Sequence, residues 1–270
     1  MQNEHQEQGF GTAVSWLTDT VKEAVVRIVK NADEVTREVV ATVSGRVKEV
    51  VQTALETVTQ MGEATSNAAR SAIRAVDAAG GDAIKVGVNL VTGTFSGTTE
   101  VTVGAVRAVR AVASGVIQGF VDVGVDLEKA AARLAGETVQ AAGEVSGNVV
   151  KVTRESLSGI ASGASGATTD SIGAIQAAVK GAIQAAHESG RDVGQVAVAA
   201  VTGSLEGIKK VGDTASDTLQ TLVSSAIQAG TAIGPEALQQ IRAALTDSIA
   251  GVAELLKGQD KGVPPRPGEL

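Results

Sequence analysis

Large apolar side chains return every eleven positions between Val29 and Ile249 and keep one phase throughout. The line runs through Val29, Val40, Val51, Ile73, Ile84, Phe95, Val106 and Ile117. It resumes with Val139, Val150, Ile172, Ile183, Leu205, Ile227, Leu238 and Ile249. Of its 21 positions, 16 carry a large apolar residue, so the stripe is a sustained property of the chain. The adjacent line, from Lys30 through Glu63, Arg74, Lys85, Lys129, Lys151 and Glu206 to Gln239, carries none. Eleven residues complete three helical turns at about 3.67 residues per turn, which predicts helix with slight right-handed coiling. Projected on a helix, the apolar lines through Val91, Val112, Val116, Ile117 and Phe120 cover roughly 130° of surface.

Two further patterns support helix. Oppositely charged residues sit four apart at Glu23–Arg27, Asp33–Arg37, Arg133–Glu137, Lys151–Glu155, Glu206–Lys210 and Lys209–Asp213, a spacing that places them side by side on a helix. No proline precedes Pro235. Segments also repeat: residues 71–97 align without gaps on 181–207, 169–181 on 246–258, and SAIQA at 225 matches GAIQA at 181. Those offsets, 110, 77 and 44, are multiples of eleven. Glu128 interrupts the apolar line beside a shifted stripe of Leu127, Ala131 and Leu134, which reads as a four-residue stutter near 125–145.

Small residues mark one edge of the stripe. They combine as Gly93/Gly97, Gly115/Gly119, Gly159/Gly163 and Gly203/Gly207, each pair four apart and the pairs spaced by 22, 44 and 44. A glycine costs about 1 kcal/mol relative to alanine inside a helix, so these positions imply either close contact between helices or breaks in them. Break candidates are Gly80-Gly81-Asp82, residues 158–170, Ser189-Gly190 and Gly234-Pro235, with Pro235 suited to a helix start.

Composition narrows the function. Aromatic residues make up 1% of the chain (Phe10, Trp16, Phe95 and Phe120), which argues against the thick core of a globular enzyme. The absence of cysteine excludes disulfides and thiolate metal sites and fits a reducing compartment. A net charge of −7 with interspersed signs lacks a nucleic-acid footprint. No apolar run is long enough to predict a transmembrane helix. His5 and His187 have no partner at metal-ligand spacing, and Arg70 with Arg74 is the one pair suggesting an anion site. No phosphate loop, nucleophile elbow or zinc motif occurs. Trp16 reads as the cover of a bundle end or a contact to a lipid surface.

The eleven-residue clock resembles the hendecad coiled-coil proteins. The repeats AIRAVDAAG, AIQAAHESG and ETVTQMGEA are similar in composition to phasins and late-embryogenesis-abundant proteins. The stripe, with the first resemblance, predicts an all-α fold: a long hendecad helix, straight or slightly right-handed, in an elongated rod-like oligomer. The apolar face of roughly 130° is wider than a two-stranded seam needs and favours three or four helices. An antiparallel helical bundle is the alternative. The self-association core is expected at Ile73, Ile84, Val106, Ile117, Val139, Val150, Ile172, Ile183, Leu205, Ile227, Leu238 and Ile249. Close helix contacts are expected at Gly93, Gly97, Gly115, Gly119, Gly159, Gly163, Gly203 and Gly207. A polar segment (1–12), a helical region (13–258) with hinges near 80–81, 158–170, 190 and 234–235, and a disordered Pro-rich tail (259–270) complete the organisation. The expected protein is cytoplasmic, non-enzymatic and structural, self-associating, without cofactor, metal or nucleic acid. The phasin resemblance implies instead an amphipathic coat on lipid or polyester granules.

Overall fold

Among the described residues, three copies of one turn, Gly-x-Asp, separate consecutive helices within the eleven-residue pattern. In a computed structural model, which describes residues 58–94, 103–144, 149–166, 171–209, 215–250, 252, 253 and 256, the chain reverses at Gly80-Gly81-Asp82, Gly124-Val125-Asp126 and Gly190-Arg191-Asp192. Each leading glycine is left-handed, with φ of 76°, 73° and 64°. The next N–H then bonds to a carbonyl five residues back: Gly81 to Val76, Val125 to Phe120 and Arg191 to Ala186. This closes the preceding helix with its last carbonyls satisfied. The aspartate opens the next helix, its carboxylate accepting from the N–H of Lys85, Lys129 or Gln195.

Nine helices and no strand occur among the described residues: α1 (Val58–Ala78), α2 (Ala83–Gly93), α3 (Val103–Val123), α4 (Leu127–Glu144), α5 (Val149–Ser165), α6 (Ser171–Glu188), α7 (Val193–Lys209), α8 (Ala215–Ile233) and α9 (Pro235–Ser248). The fold is all-α, but the long rod-like helix does not form. The longest helices hold 21 residues. The reason lies in the unit length. Helices α4 to α8 start at Leu127, Val149, Ser171, Val193 and Ala215, each two eleven-residue periods after the last. One helix plus its turn therefore fills two periods, and the clock survives each turn because the turn is counted within it.

The helices form two layers. Helices α1, α3, α5, α7 and α9 make one, α2, α4, α6 and α8 the other, and consecutive helices pack across the gap. Within a layer, each helix packs against the one two places further on, most extensively in the middle of the array. This is the nearest-neighbour architecture of helical repeat proteins. A helix so placed meets same-layer neighbours and the opposite layer, which accounts for an apolar stripe wider than a coiled-coil seam needs.

Phe120, Ile117, Leu134, Leu157, Ile160, Ile175, Ile183, Leu222 and Ile241 are fully buried, each contributing about 1.5–3 kcal/mol by leaving water. Alanines fill much of the rest, with Ala130, Ala131, Ala135, Ala161, Ala178, Ala182 and Ala200 at 0% exposure. Of the predicted core, Ile73, Ile117, Val139 and Ile183 are fully buried within one chain. Ile84, Leu205, Leu238, Ile227 and Ile249 are partly buried. Val150 and Ile172 do not belong to it: they are 38% and 40% exposed. Each is the second residue of its helix, where the stripe runs out at an edge of the array. The side chain of Val106 lies outside the described residues.

Other expectations change with the turns. Glu128 is exposed in the first turn of α4, and the interruption there is the Gly124–Asp126 turn rather than a stutter. Residues 158–165 lie inside α5, while 167–170 are outside the described residues. At Gly234, α8 gives way directly to α9, which begins on Pro235. In the match of 169–181 with 246–258, residues 171–181 lie in α6 and 246–248 in the last turn of α9, while 169, 170, 251, 254, 255, 257 and 258 are outside the described residues. Residues 1–12 and 259–270 lie outside the described set.

A Cβ added at Gly124 would meet nothing within 4 Å, so substitution there isolates backbone strain. Gly124→Ala should destabilise the protein by about 1–2 kcal/mol through the left-handed conformation alone, read as a lower urea midpoint.

Candidate functional site

The glycine pairs place helix backbones against one another. On α3, a Cβ at Gly115 would strike the carbonyl oxygen of Ser66 in α1, and one at Gly119 would lie 2.7 Å from the Cβ of Ile73. On α5, Gly159 faces the carbonyl of Arg110, and Gly163 faces that of Ser114, 2.6 Å from an added Cβ. On α7, Gly203 and Gly207 face the carbonyls of Arg154 and Ser158. In the other layer, Gly181 of α6 faces the carbonyl of Ala132 in α4. Every glycine in these glycine–carbonyl pairs follows its partner by the same interval in the sequence. Because both glycines of α5, and both of α7, keep that interval, same-layer helices run parallel in one fixed register.

The hydrogen in place of each missing side chain points at a carbonyl oxygen, the arrangement of a weak Cα–H···O bond worth about 0.5–1 kcal/mol. This offsets the comparable helical cost of glycine. Of the other expected contacts, Gly93 ends α2 and is partly buried, and Gly97 is outside the described residues. Gly181 belongs to the same series, and its signal was the small-residue pair Gly181/Ala185.

Above this seam runs a ladder of ion pairs. Arg70 of α1 grips Asp122 of α3 with two bonds, Nε at 2.5 Å from Oδ2 and Nη2 at 2.6 Å from Oδ1. Arg74 stands 4.0 Å from the same carboxylate, so the suspected anion pair is turned toward a partner inside the chain. Arg110 of α3 reaches Glu155 of α5 at 2.6 Å and Glu206 of α7 at 3.4 Å, and Arg154 of α5 also pairs with Glu206. One network thus joins three helices of a layer. The Arg70 hydrogen bonds hold the Asp122 carboxyl below its ordinary range against the opposing effect of burial, with the charges of Arg70 and Arg74 adding to it. The hydrogen bond to Glu206, reinforced by the Glu206 and Glu155 charges, raises Arg154.

Of the predicted pairs, Arg133–Glu137 forms at 3.7 Å. Glu155 of the expected Lys151–Glu155 pair instead takes Arg110 of the neighbouring helix. Glu23–Arg27, Asp33–Arg37, Glu206–Lys210 and Lys209–Asp213 involve residues outside the described set. Arg191 donates to the carbonyl of Gly143, 2.6 Å away in the last turn of α4, a favoured place for a cation.

Chemistry beyond packing is sparse. Among the described residues no group of three or more His, Asp or Glu could hold a metal. His187 is exposed in the last turn of α6. Thr153, Ser156 and Ser158 of α5 and Ser204 of α7 are fully buried, their hydroxyls without a hydrogen-bond partner in the protein. Thr153 and Ser156 stand four eleven-residue periods after Val109 and Val112, so the centre of the array exchanges apolar for polar groups at equivalent places. No described helix is long and apolar enough to cross a membrane. Compared with models of known families the chain matches none, and no curated protein matches it.

Three substitutions probe the seam and ladder. Gly115→Ala should destabilise by about 1–3 kcal/mol, because backbone rather than a flexible side chain blocks the new methyl. Gly62→Ala, where nothing lies within 4 Å, should stabilise α1 by up to about 1 kcal/mol through helix propensity. Asp122→Asn should cost about 1 kcal/mol or less at neutral pH, since Arg70 is 41% exposed. A lowered carboxyl stabilises the fold only while ionised. The difference between wild type and Asp122→Asn should therefore persist at neutral pH and fade as pH falls below 3.8.

Proposed function

We propose that the protein is a non-enzymatic structural scaffold, a helical repeat array whose ordered surface is its working part. The observation that carries this reading is the seam: one backbone contact at one register, repeated along one layer and recurring in the other. Repetition of this kind favours rigidity and an extended surface rather than a single reacting centre. The arginines and carboxylates on the α3–α5–α7 face support the same reading, since they tie helix to helix.

Both assembly and coating need an apolar face turned outward. Ile73, Ile117, Val139 and Ile183 are turned inward, which favours a scaffold folded from one chain over a rod of three or four chains. It also weighs against the phasin-like coat on lipid or polyester. The lack of cysteine and the net charge of −7 fit a reducing, cytoplasmic setting.

Sedimentation and small-angle scattering should give a strongly helical particle of single-chain mass that is unchanged by tenfold dilution. It should not float with anionic lipid vesicles or adsorb to polyester particles. A mass of three or four chains would restore the assembled rod, and flotation would replace the scaffold with the coat.

A further inference from the structure

Helix α1 carries α3 on one face, and among the described residues no helix is seated on its small-residue face. Helices α3, α5 and α7 each press a small-residue strip onto the preceding helix of their layer. In α3 that strip is Ala108, Val112, Gly115 and Gly119, all buried. The equivalent strip of α1, four eleven-residue periods earlier, is Ala64, Ala68, Ser71 and Ala75. There Ser71 is exposed and the three alanines are only partly buried. A face built for close approach is thus left half open.

We propose that residues 14–34 of this same chain dock on that strip, as α1 itself docks beneath α3. Three observations converge on this occupant. The segment stands four periods before α1, and residues 14–57 amount to one such stretch. The eleven-residue apolar line continues through it at Val29 and on to Val40 and Val51. The established seam also has a second constant offset. The residues whose Cβ atoms meet Gly119, Gly159, Gly163 and Gly207 are Ile73, Ala113, Ile117 and Ala161, each 46 positions earlier and apolar. Counting back by the same amount from Ser71 and Ala75 gives Val25 and Val29, which meet the same requirement. The glycine–carbonyl interval sets the backbone of Lys22 and Val26 against them, where side-chain type matters little. The docking edge is therefore continuous with an existing interface in position, residue type and register.

The test uses the full chain, whose freedom from cysteine makes any disulfide an introduced one. In the double variant Val29→Cys with Ala75→Cys, mild oxidation should give an intrachain disulfide in most molecules, read by non-reducing electrophoresis and peptide mass. The comparison Val29→Cys with Asp77→Cys places the second thiol on the far side of α1 and should give little. Independently, Ala75→Leu should lower the melting temperature by overpacking a filled contact. Absence of the first disulfide, or equal yields from the two pairs, overturns the proposal. So does a disulfide joining two chains, which would assign the edge to a second copy. A raised melting temperature in Ala75→Leu would show the edge facing water and overturn it as well.

Discussion

Backbone proximity at the glycine seam is the constraint from which the rest of the array follows. Where a glycine faces a neighbouring carbonyl with no room for a methyl, two helices are closer than any larger residue permits. At that distance sliding one helix along the other brings a side chain into the gap, so register is fixed sterically. Fixed register then aligns Arg70 with Asp122 and Arg154 with Glu206, two pairs with the same separation along the chain. The ion pairs depend on the seam, and their own contribution at a half-exposed surface is small.

The alanine-rich interior follows from the same constraint. Helices held so close leave little depth between them, and Ala130, Ala131, Ala178 and Ala182 fill that space without strain. Larger side chains such as Phe120, Leu134 and Leu157 are buried without needing a thick core. This explains how 1% aromatic residues suffice. The buried hydroxyls of Thr153, Ser156 and Ser204 are a local departure. Isolated from partners, such groups cost stability, and packing on both sides of α5 must compensate.

Helix content and the buried side of the stripe were legible because they depend on local periodicity. Ile117 and Ile183 could be placed inside from spacing alone. The partner could not. A stripe that packs within one chain has the same period as one that packs between chains, so the long rod and the short-helix array share one signal. The turns were partly legible. Gly80-Gly81-Asp82 and Gly190 stood out as breaks, whereas Gly124-Val125-Asp126 did not, because its single glycine follows Gly115 and Gly119, which lie inside a helix. Comparing the three sites would have revealed it, since a Gly-x-Asp triplet recurs in each. The ladder was hidden for a different reason. Arg110 and Glu155, like Arg154 and Glu206, belong to different helices, far beyond the reach of any four-residue rule. Only the seam's register brings them together.

The identical turn at Gly80 and Gly190 has a consequence for how such a chain can change in length. Those turns lie on opposite edges of the array: the first leads from α1 to α2, the second from α6 to α7. A unit of two periods is thus competent in either layer, as the match of α1–α2 with α6–α7 implies, since the two are separated by an odd number of units. Loss or gain of one unit would move every later helix to the opposite layer. Partners now two units apart would stay together on the far side, while contacts at the junction would be exchanged. An even number would leave each helix in its own layer. The array therefore has a parity, and insertions that respect it preserve both faces, whereas those that do not turn one face into the other.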